Sequence, residues 1–409
     1  MDCAMDVAVS VKKPRAAGAL GWFGRRMLAR IDRGIVEGAI TASLPGGQPH
    51  RVGGRLPGPE AVVILHSWRA LWRLATGGSA GWYEAWVARE WESPDPVALF
   101  ELFTRNRHTL APTARAQGIG RWLRRQWHRA RRNDRTGARR NIRDHYDLGN
   151  DFYELWLDPS MTYSSAIFAA PDQSLEEAQR TKLRSILDRT ECKAGDRILE
   201  IGCGWGSFAE EAARADVTVH GITLSTEQKA YAEARLARQR LAGEIELIDY
   251  RDVAGRYDGV ASIEMVEAVG AEYWLDYLGA IARALKPGGR AAIQYIAIDD
   301  AIYEDYARNV DFIQRYVFPG GMLLSESRFR ALAEKAGLAW CDVVAFGHDY
   351  AETLRRWRER FDAAVAGGLM PKQFDRYFID LWRYYLMYCE GGFRGGAITV
   401  AQVTLVKEG

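Results

Sequence analysis

The sequence is short of the features that would place a chain inside a membrane or outside the cell. Across its 409 residues, no apolar run approaches the ~18 residues that a helix needs to span a bilayer. The N-terminal stretch has no continuous apolar core, which argues against a secretory signal peptide. The five cysteines show no CxxC spacing, which excludes a sequence-visible zinc site or disulfide framework. We expect a cytoplasmic protein with enough hydrophobic residues, 48%, for two or three domains.

The balanced net charge conceals one strongly basic segment. The chain has 55 basic and 53 acidic residues, a formal charge of +2. Eleven arginines lie between Arg115 and Arg143 with one acid, Asp134, so this segment carries +10 and the rest of the chain carries −8. On a helical projection its apolar residues fall within an arc of ~140°, opposite most of the arginines. These apolar residues are Ile119, Trp122, Leu123, Trp127 and Ala130.

A basic helix with tryptophans on its apolar face is typical of a helix that lies on a membrane and binds anionic headgroups. We therefore predict that residues 115–143 dock on an anionic membrane surface, which would make the protein peripheral on the inner face. Two other interpretations stay open. The segment could be a solvated linker whose tryptophans pack on a neighbouring domain, or it could bind nucleic-acid phosphates, although its interleaved apolar residues favour lipid.

The residue pattern divides the chain into four segments. They are a flexible N-terminus (1–18), a small α/β domain (19–112), an arginine-rich amphipathic connector (113–143) and a catalytic domain (144–409). In the small domain, strand-like runs bounded by proline and glycine cover 37–44, 49–54 and 61–67. A tryptophan-rich helical stretch follows, and Pro96 lies near the start of another helix.

From about residue 144 the pattern alternates between strands and helices, which is typical of a doubly wound α/β domain. The first two predicted strands are 197–201 and 217–224. A long helix is expected to begin after Ser225 and to be capped at its other end by Gly243. The closing run, 397–406, is expected to be a strand that lies antiparallel at the sheet edge.

One motif carries the chemistry: Glu200-Ile201-Gly202-Cys203-Gly204-Trp205-Gly206 follows a strand and opens a helix. Glycines let the backbone approach a ligand, and a helix N-terminus offers unpaired N–H groups. Polar groups also end the next two strands, as Thr223-Leu224-Ser225 and Tyr250-Arg251-Asp252. Three such strand ends predict a ligand laid across the carboxyl edge of a parallel sheet. The glycines alone would fit NAD, a flavin or S-adenosylmethionine.

Further motifs give a family resemblance. The sequence resembles the cyclopropane fatty acid synthases over essentially all of 144–409, and its N-terminal module and basic connector are similar to those of the full-length bacterial enzymes. Besides the glycine motif, the segments that carry the resemblance are HYDLGNDFY (145–153), LDP (157–159), MTYSSA (161–166), LEEAQ (175–179), GITLS (221–225), DYRD (249–252), EAVG (267–270), YVFPGG (316–321) and FGHDY (346–350). The resemblance implies a Rossmann-like class I S-adenosylmethionine methyltransferase domain with a helical substrate-tunnel insertion. A small α/β lipid-binding domain would precede it.

The resemblance also implies roles for individual residues. Those implied to hold S-adenosylmethionine are Tyr163, Ser164, Glu200, Gly202, Gly204, Gly206, Thr223, Gln228, Tyr250, Arg251 and Ile263. Those implied at or near the reaction centre are Glu267, Tyr316, Ser165, Gln294 and Cys389. No metal is expected.

The sequence departs from this family where the proton is removed. The family's cyclopropane formers usually hold bicarbonate, thought to act as the base, in a pocket that includes a cysteine, a glutamate, a histidine and a tyrosine. Here Ser165 stands at the cysteine position and Gln294 at the histidine position. Glutamine keeps hydrogen-bonding capacity but cannot titrate near neutral pH. Whether this chain uses bicarbonate therefore stays open.

The reaction implied by the resemblance has two stages. A cis double bond in a phospholipid acyl chain takes the methyl group of S-adenosylmethionine and becomes a carbocation, which aromatic faces such as that of Tyr316 would stabilise. Loss of a proton from the new methyl group gives a cyclopropane, the product we expect. Loss from a chain carbon gives a methylene or methyl-branched fatty acid. Remoter alternatives are a small-molecule N-methyltransferase, a nucleic-acid methyltransferase and a non-catalytic lipid-binding protein.

The acyl chain is expected to enter directly from the bilayer. Drawing ten methylenes into water costs ~8 kcal/mol, so passage through bulk solvent would be strongly disfavoured. The predicted lining of an apolar tunnel comes from the aromatic-rich region 300–390: Tyr303, Tyr306, Phe312, Phe318, Tyr377, Tyr384 and Tyr385. We expect no nucleic-acid partner, and a homodimer is one possible assembly.

Overall fold

The computed structural model describes residues 15–47, 49–110 and 148–409. The arginine-rich segment 115–143 and most of the predicted N-terminal tail lie outside the described residues, so the predictions made for them stay predictions. The described part contains a four-stranded sheet before residue 110 and a seven-stranded sheet after residue 148. None of the described helices combines the length and the apolar composition needed to cross a membrane.

The N-terminal unit, called the small unit below, is built on a four-stranded sheet in the order β2-β1-β3-β4. Its strands are β1 (Glu37–Ser43), β2 (Pro49–Gly53), β3 (Leu56–Leu65) and β4 (Trp91–Glu92). Its helices are α1 (Arg15–Gly34), α2 (Arg69–Val87), α3 (Pro96–Arg105) and α4 (Arg107–Leu110). β1 pairs antiparallel with β2 and parallel with β3. The three predicted strands are present, and Asp95 caps α3 directly before Pro96.

Helix α2 is interrupted at Gly78. This residue has φ +61° and ψ −144°, a backbone conformation that glycine adopts far more readily than other residues. A Cβ on Gly81 would lie 2.0 Å from the carbonyl oxygen of Arg73, so the chain comes unusually close to itself at the break. The interruption leaves Gly77 and Gly78 on the wall of the cavity described below.

The second unit is built on a seven-stranded sheet in the order β10-β11-β9-β8-β5-β6-β7. Its strands are β5 (Arg197–Ile201), β6 (Thr218–Thr223), β7 (Gly243–Leu247), β8 (Tyr257–Ile263), β9 (Leu285–Ile298), β10 (Leu338–Ala345) and β11 (Ile398–Lys407). The five strands from β9 to β7 are parallel, and β11 runs antiparallel to both of its neighbours. The predicted doubly wound α/β fold is confirmed.

Two details of the prediction were wrong. β11 is antiparallel, as expected, but it lies one strand inside the edge because β10 pairs along its outer side. β10 was missed because only Leu338 in it is buried, which leaves no clear hydrophobic alternation. The long helix ends at Gln239, where Arg240 takes a left-handed conformation, and Gly243 instead begins β7.

The helices of this unit cover both faces of the sheet, since adjacent residues of β5, Ile198 and Leu199, belong to different hydrophobic clusters. They are α5 (Asn150–Glu154), α6 (Leu175–Thr190), α7 (Ser207–Arg214), α8 (Thr226–Gln239), α9 (Trp274–Ala284), α10 (Asp300–Arg308), α11 (Phe312–Tyr316), α12 (Glu326–Lys335), α13 (Gly347–Ala366) and α14 (Arg376–Arg394). Single 3-10 turns lie at Tyr250–Asp252, Val266–Ala268 and Ala271–Tyr273.

The two units share one hydrophobic core, in which α3 packs closely on α14. A Cβ on Gly391 would lie 2.4 Å from the Cβ of Phe100, so this contact depends on glycine in α14. The hydroxyl of Thr104 in α3 donates to the carbonyl oxygen of Gly391 at 3.0 Å. The small unit therefore forms one wall of the space between α3, α14 and the large sheet.

Candidate active site

The glycine motif forms an open turn between β5 and α7. Gly202, Gly204 and Gly206 all have positive φ angles, of 81°, 50° and 82°. A Cβ on Gly202 would meet Met265, whereas a Cβ on Gly204 would meet nothing within 4 Å. The turn is thus tightly packed at Gly202 and open at Gly204, and it lies next to the start of α7 at Ser207. That geometry can accept a ligand against backbone N–H groups.

The other predicted cofactor residues lie at neighbouring strand ends, because β8, β5, β6 and β7 are adjacent in the sheet. At the end of β6, the Thr223 hydroxyl donates to Gln228 Oε1 at 2.9 Å. After β7, the Asp249 carboxylate accepts from Arg251 Nε at 2.7 Å and holds that guanidinium beside the Tyr250 ring. The fold therefore brings these side chains to one edge of the sheet.

Two buried ionisable side chains, Glu200 and Lys182, influence each other's protonation near this edge. Glu200 is 3% exposed, and its Oε2 has no hydrogen-bond partner among the described residues. Burial raises the pKa of Glu200 to about 8, and the nearby Lys182 opposes that rise. Lys182 is fully buried, which lowers its pKa to about 8, and its ammonium donates to Ser164 Oγ at 2.7 Å. An unpaired buried acceptor at a strand end is the group that a donor on a ligand would satisfy.

The other two predicted cofactor residues are Tyr163, which lines the cavity, and Ile263, which ends β8. The Tyr163 hydroxyl lies 2.9 Å from the Tyr385 hydroxyl, and Tyr163 lines the cavity. Ile263 is the last residue of β8 and pairs with Gln294 of β9. The roles of these residues in cofactor binding stay predictions.

Glu264, the residue directly after β8, was not predicted from the sequence to be part of the site. It has φ +50°, a conformation that is uncommon for residues other than glycine. Its Oε1 accepts from the Ser165 N–H at 2.9 Å and from Gln294 Nε2 at 2.7 Å. Its Oε2 accepts from the Tyr350 hydroxyl at 2.7 Å. Three donors from three separate segments thus converge on one buried carboxylate.

Burial raises the pKa of Glu264, whereas the hydrogen bonds from Tyr350, Ser165 and Gln294 and the charge of Lys182 act against that rise. Hydrogen bonds to a carboxylate favour its charged form. Ser165 contributes its backbone N–H to this cluster, since its own hydroxyl donates to the carbonyl oxygen of Ala166.

Glu267 lies on the cavity wall three residues further on, as its predicted place at the reaction centre requires. Its Oε1 accepts from the N–H of Ile296, and its Oε2 is buried without a hydrogen-bond partner in the described part of the chain. Burial, and next the charge of Glu264, raise the pKa of Glu267 to about 8. Two carboxyl groups in different environments therefore border the same space.

The structure places Tyr316 away from this cluster. Its hydroxyl donates to Glu84 Oε1 at 2.9 Å, and Arg315 forms an ion pair with the same carboxylate at 3.0 Å. Tyr316 is not one of the residues that line the cavity, although the next residues, Val317 and Phe318, are. The tyrosine that meets the buried carboxylate is Tyr350.

Cys389, in contrast, does line the cavity. It is half-buried there, and burial raises the pKa of its thiol.

A cavity of about 560 Å³ connects the two units, a size in the usual range for small-molecule sites. One part of its wall, called the sheet end below, is formed by Tyr163, Glu264, Glu267 and Tyr350. Another part, called the apolar end below, is formed mainly by apolar residues of the small unit, of α10 and α11 and of the residue after α11, among them Leu74, Phe103, Ile302, Ile313 and Val317, with some polar ones such as Arg107 and Asp311. The arrangement can hold an elongated apolar molecule with its reacting part beside buried carboxylates.

Three of the seven aromatic residues predicted to line a tunnel do so: Tyr306, Phe318 and Tyr385. Of the other four, Phe312 and Tyr384 pack on Tyr83 in the shared core, Tyr303 packs on Trp274, and Tyr377 is 67% exposed. Aromatic composition alone did not separate the cavity wall from ordinary core.

The residues that the prediction missed, Glu264 and Tyr350, carried partial signals. Glu264 precedes Glu267 by three residues after a buried strand, and Tyr350 closes the FGHDY motif. Nothing local in the sequence joins the two, because 86 residues separate them along the chain.

Comparison with known proteins supplies the remaining evidence. Residues 133–403 match the model of the family described as "Mycolic acid cyclopropane synthetase". The chain is 39% identical over 360 residues to the tuberculostearic acid methyltransferase UfaA1 of Mycobacterium tuberculosis, covering 82% of this chain and 81% of that protein. It is 38% identical to the cyclopropane-fatty-acyl-phospholipid synthase of Escherichia coli K12, covering 65% of this chain and 67% of that protein. The crystal structure of the mycolic acid cyclopropane synthase CmaA1 with SAH and CTAB superposes with a TM-score of 0.62 at 30% identity, covering 66% of this chain and 98% of that one.

Proposed function

The chain belongs to the mycolic acid cyclopropane synthetase family, and from that premise we propose that it alkylates a cis double bond in the acyl chain of a membrane phospholipid. It is an S-adenosylmethionine-dependent methyltransferase of this family. The observation that carries the proposal is the apolar cavity that begins in the small unit and ends at Glu264 and Glu267. Such a cavity suits a run of methylenes, and anionic groups at its end suit a reaction that passes through a cation.

The carboxyl edge of the sheet fits S-adenosylmethionine. The glycine turn leaves open space in front of Gly204, and Glu200 offers a buried oxygen without a partner in the described residues. We assign the methionine part of the cofactor to these groups and the adenine part to Tyr250 and Arg251. The cofactor supplies a methyl group bound to a positively charged sulfur.

The residues of the cavity orient the chain, exclude water and stabilise charge. The alkene carbon that accepts the methyl group leaves its neighbour positively charged. Tyr163 and Tyr350 border this end of the cavity, so their rings can stabilise that charge. The carboxylate of Glu264 adds a fixed negative charge in surroundings of low polarity, where electrostatic interactions are strong.

Two products can follow from the cation. Loss of a proton from the added methyl group closes a cyclopropane ring, which we propose first because the family and its solved structures carry that name. Alternatively, a 1,2-hydride shift moves the positive charge to the carbon that bears the added methyl group. Loss of a proton from that methyl group then gives a methylene group, which a later reduction would turn into a methyl branch. This second candidate is favoured by the match to the tuberculostearic acid methyltransferase, which extends over 82% of this chain.

We further propose that the substrate comes directly from the membrane. The arginine-rich segment 115–143 would hold the protein on the anionic inner face, and the acyl chain would pass into the cavity without exposure to bulk water. The basic segment has no comparable use in a small-molecule N-methyltransferase.

The test is gas chromatography–mass spectrometry of fatty acids from a bacterial host that makes unsaturated phospholipids and expresses this protein. We expect a new fatty acid that is one methylene heavier than its unsaturated precursor. Its fragmentation separates a ring from a methylene or methyl branch. An unchanged fatty-acid profile with a methylated small amine would contradict the proposal.

A further inference from the structure

The pocket in which related enzymes are expected to hold bicarbonate is already filled in this protein by its own side chain. A bicarbonate ion would need hydrogen-bond donors at positions 165 and 294 and a tyrosine hydroxyl. Here the Ser165 N–H, Gln294 Nε2 and the Tyr350 hydroxyl all donate to the carboxylate of Glu264, at 2.7–2.9 Å. The residues present therefore do not fit bicarbonate, because the three groups that would donate hydrogen bonds to the ion already donate to Glu264.

We propose that Glu264 is the base of the reaction and that the enzyme needs no bicarbonate. The inference rests on the proposed function, the alkylation of a double bond through a carbocation. A C–H bond of the added methyl group breaks. Its electron pair forms the new C–C bond of a ring or, when a 1,2-hydride shift has first moved the charge to the methyl-bearing carbon, the second bond of a methylene group. The proton passes to Glu264, so a cation and a carboxylate become two neutral groups.

The donors are fixed in the direction that this role requires. Arg189, which can only donate, hydrogen-bonds Gln402 Oε1, and Gln402 Nε2 in turn donates to Gln294 Oε1 at 3.1 Å. This leaves the amide nitrogen of Gln294 directed at Glu264 at 2.7 Å. A chain of two buried amides thus extends from a guanidinium to the carboxylate.

The two carboxyl groups at this end have different environments, and this difference assigns their roles. Within the described part of the chain, Glu264 accepts three hydrogen bonds and has the buried ammonium of Lys182 in its surroundings, whereas Glu267 accepts one, from Ile296. Two neighbouring carboxyl groups in low-polarity surroundings do not both ionise readily. Glu264 is accordingly the ionised group that accepts a proton, and Glu267 is the neutral one.

The backbone at Glu264 supports the same assignment. A residue other than glycine at φ +50° is strained relative to the common conformations, and such residues concentrate at functional sites. The Glu264 N–H is held by the carbonyl oxygen of Gln294 at 2.8 Å, so β9 fixes this turn. The residue is half-buried and borders the cavity, so it can reach a bound chain.

The experiment compares the wild-type protein with Glu264→Gln and Glu264→Ala, using S-adenosylmethionine and unsaturated phospholipid vesicles in buffer freed of bicarbonate. We expect full wild-type activity without bicarbonate and a loss of about 10²–10⁴-fold in Glu264→Gln, the range of general-base catalysis. Glu264→Ala leaves space for a small anion, so added bicarbonate or formate should restore part of its activity. The same anions should not restore Glu264→Gln, whose amide fills the pocket.

Controls separate the possible failures. Unchanged affinity for S-adenosylhomocysteine shows that a variant is folded. A wild-type protein that alkylates lipid only when bicarbonate is added overturns the assignment of the base, as does a Glu264→Gln variant with near-normal turnover. If the wild-type protein alkylates no lipid under either condition, the proposed function fails instead. The bicarbonate dependence of the wild-type protein remains informative even if both variants misfold.

Discussion

The two ends of the cavity are built from opposite kinds of residue. At the sheet end, Glu264, Gln294 and Tyr350 form a network whose members come from segments far apart in the chain. At the other end, the wall is formed by apolar side chains and by the glycines that interrupt α2. The sheet end holds a carboxylate in place by hydrogen bonds, whereas the other end offers mainly apolar surface with some polar residues such as Arg107 and Asp311.

This difference shows how one cavity can both place a proton acceptor and hold a hydrocarbon chain. The proton acceptor must be placed accurately, because a misplaced base forms the wrong product or none. The hydrocarbon chain needs no directional contact, and each buried methylene contributes about 0.8 kcal/mol wherever it lies. We therefore expect substitutions at the sheet end to change turnover, and substitutions at the apolar end or on the membrane side to change which lipid is used.

Besides the substitutions of Glu264, the largest effect on activity is expected from the arginines that would supply lipid to the apolar end. Replacing Arg121, Arg124, Arg125 and Arg129 by glutamine should weaken binding to anionic vesicles by about 4 kcal/mol, or ~10³-fold, at about 1 kcal/mol per charge. Activity on detergent-dispersed lipid should be unchanged. A matched control replaces four exposed arginines of the second unit, which contains the seven-stranded sheet: Arg238, Arg240, Arg283 and Arg330. Equal losses on vesicles and on detergent-dispersed lipid would refute a docking role.

At the sheet end, Tyr350→Phe removes one donor to Glu264 and leaves the ring in place. A hydrogen bond to a charged group contributes about 1.5–3 kcal/mol, so we expect turnover to fall by about tenfold to 150-fold. The cofactor affinity, measured by calorimetry, should not change. As a control, Tyr316→Phe removes the bond to Glu84 and should have a much smaller effect on turnover. A larger loss of turnover in Tyr316→Phe than in Tyr350→Phe would instead place the reaction centre at Tyr316.

At the apolar end, Gly77 offers a position at which bulk can be added without a clash. It is buried, borders the cavity, and a Cβ there would meet nothing within 4 Å. Gly77→Leu should shorten the preferred acyl chain, with a loss of about 0.8 kcal/mol, or nearly fourfold, for each methylene excluded. Gly77→Ala provides the graded control. Competition between phospholipids of different chain length measures the effect, and a uniform loss for all lengths would argue against a tunnel.

The last prediction concerns the stability of the protein rather than its activity, and how Glu267 makes that stability depend on pH. Its pKa is raised to about 8 in the folded protein, so the folded state binds more protons than the unfolded state between roughly pH 4.3 and 8. The contribution of Glu267 to stability is therefore full at low pH and is lost as the pH rises through this window. Glu267→Gln has no proton to lose, so its stability relative to wild type should improve from pH 5 to pH 8. Thermal unfolding at several pH values measures this, and a constant difference would show that Glu267 is already ionised.

The fold could be predicted from the sequence because its signals are local. The alternation of strands and helices, the Ser225 cap and the glycine turn each depend on a few adjacent residues, and the structure confirms them. The edge strand β10 could not, because it is mostly exposed and shows no burial pattern.

Site residues could be predicted where a sequence motif fixes the backbone. They were missed where a contact between distant parts of the chain determines which side chains meet. Glu267 reached the cavity as its motif implied, but Tyr316, in the YVFPGG motif, turns toward Glu84 of the small unit. The role of Glu264 depends on partners 99, 30 and 86 residues away, which no local pattern reveals. From the sequence, Gln294 left the use of bicarbonate open, and the structure shows that its amide donates to a carboxylate supplied by the chain itself.

The most direct test of the central claim compares two lipids that differ only in one double bond. Purified protein and S-adenosylmethionine with an isotopically labelled methyl group are incubated with vesicles of an anionic phospholipid that carries either cis-unsaturated or saturated chains. We predict that the label appears within the hydrocarbon chain of the unsaturated lipid alone, as mass spectrometry of the released fatty acids would show. Label in the headgroup, in both lipids equally, or in neither would contradict the account.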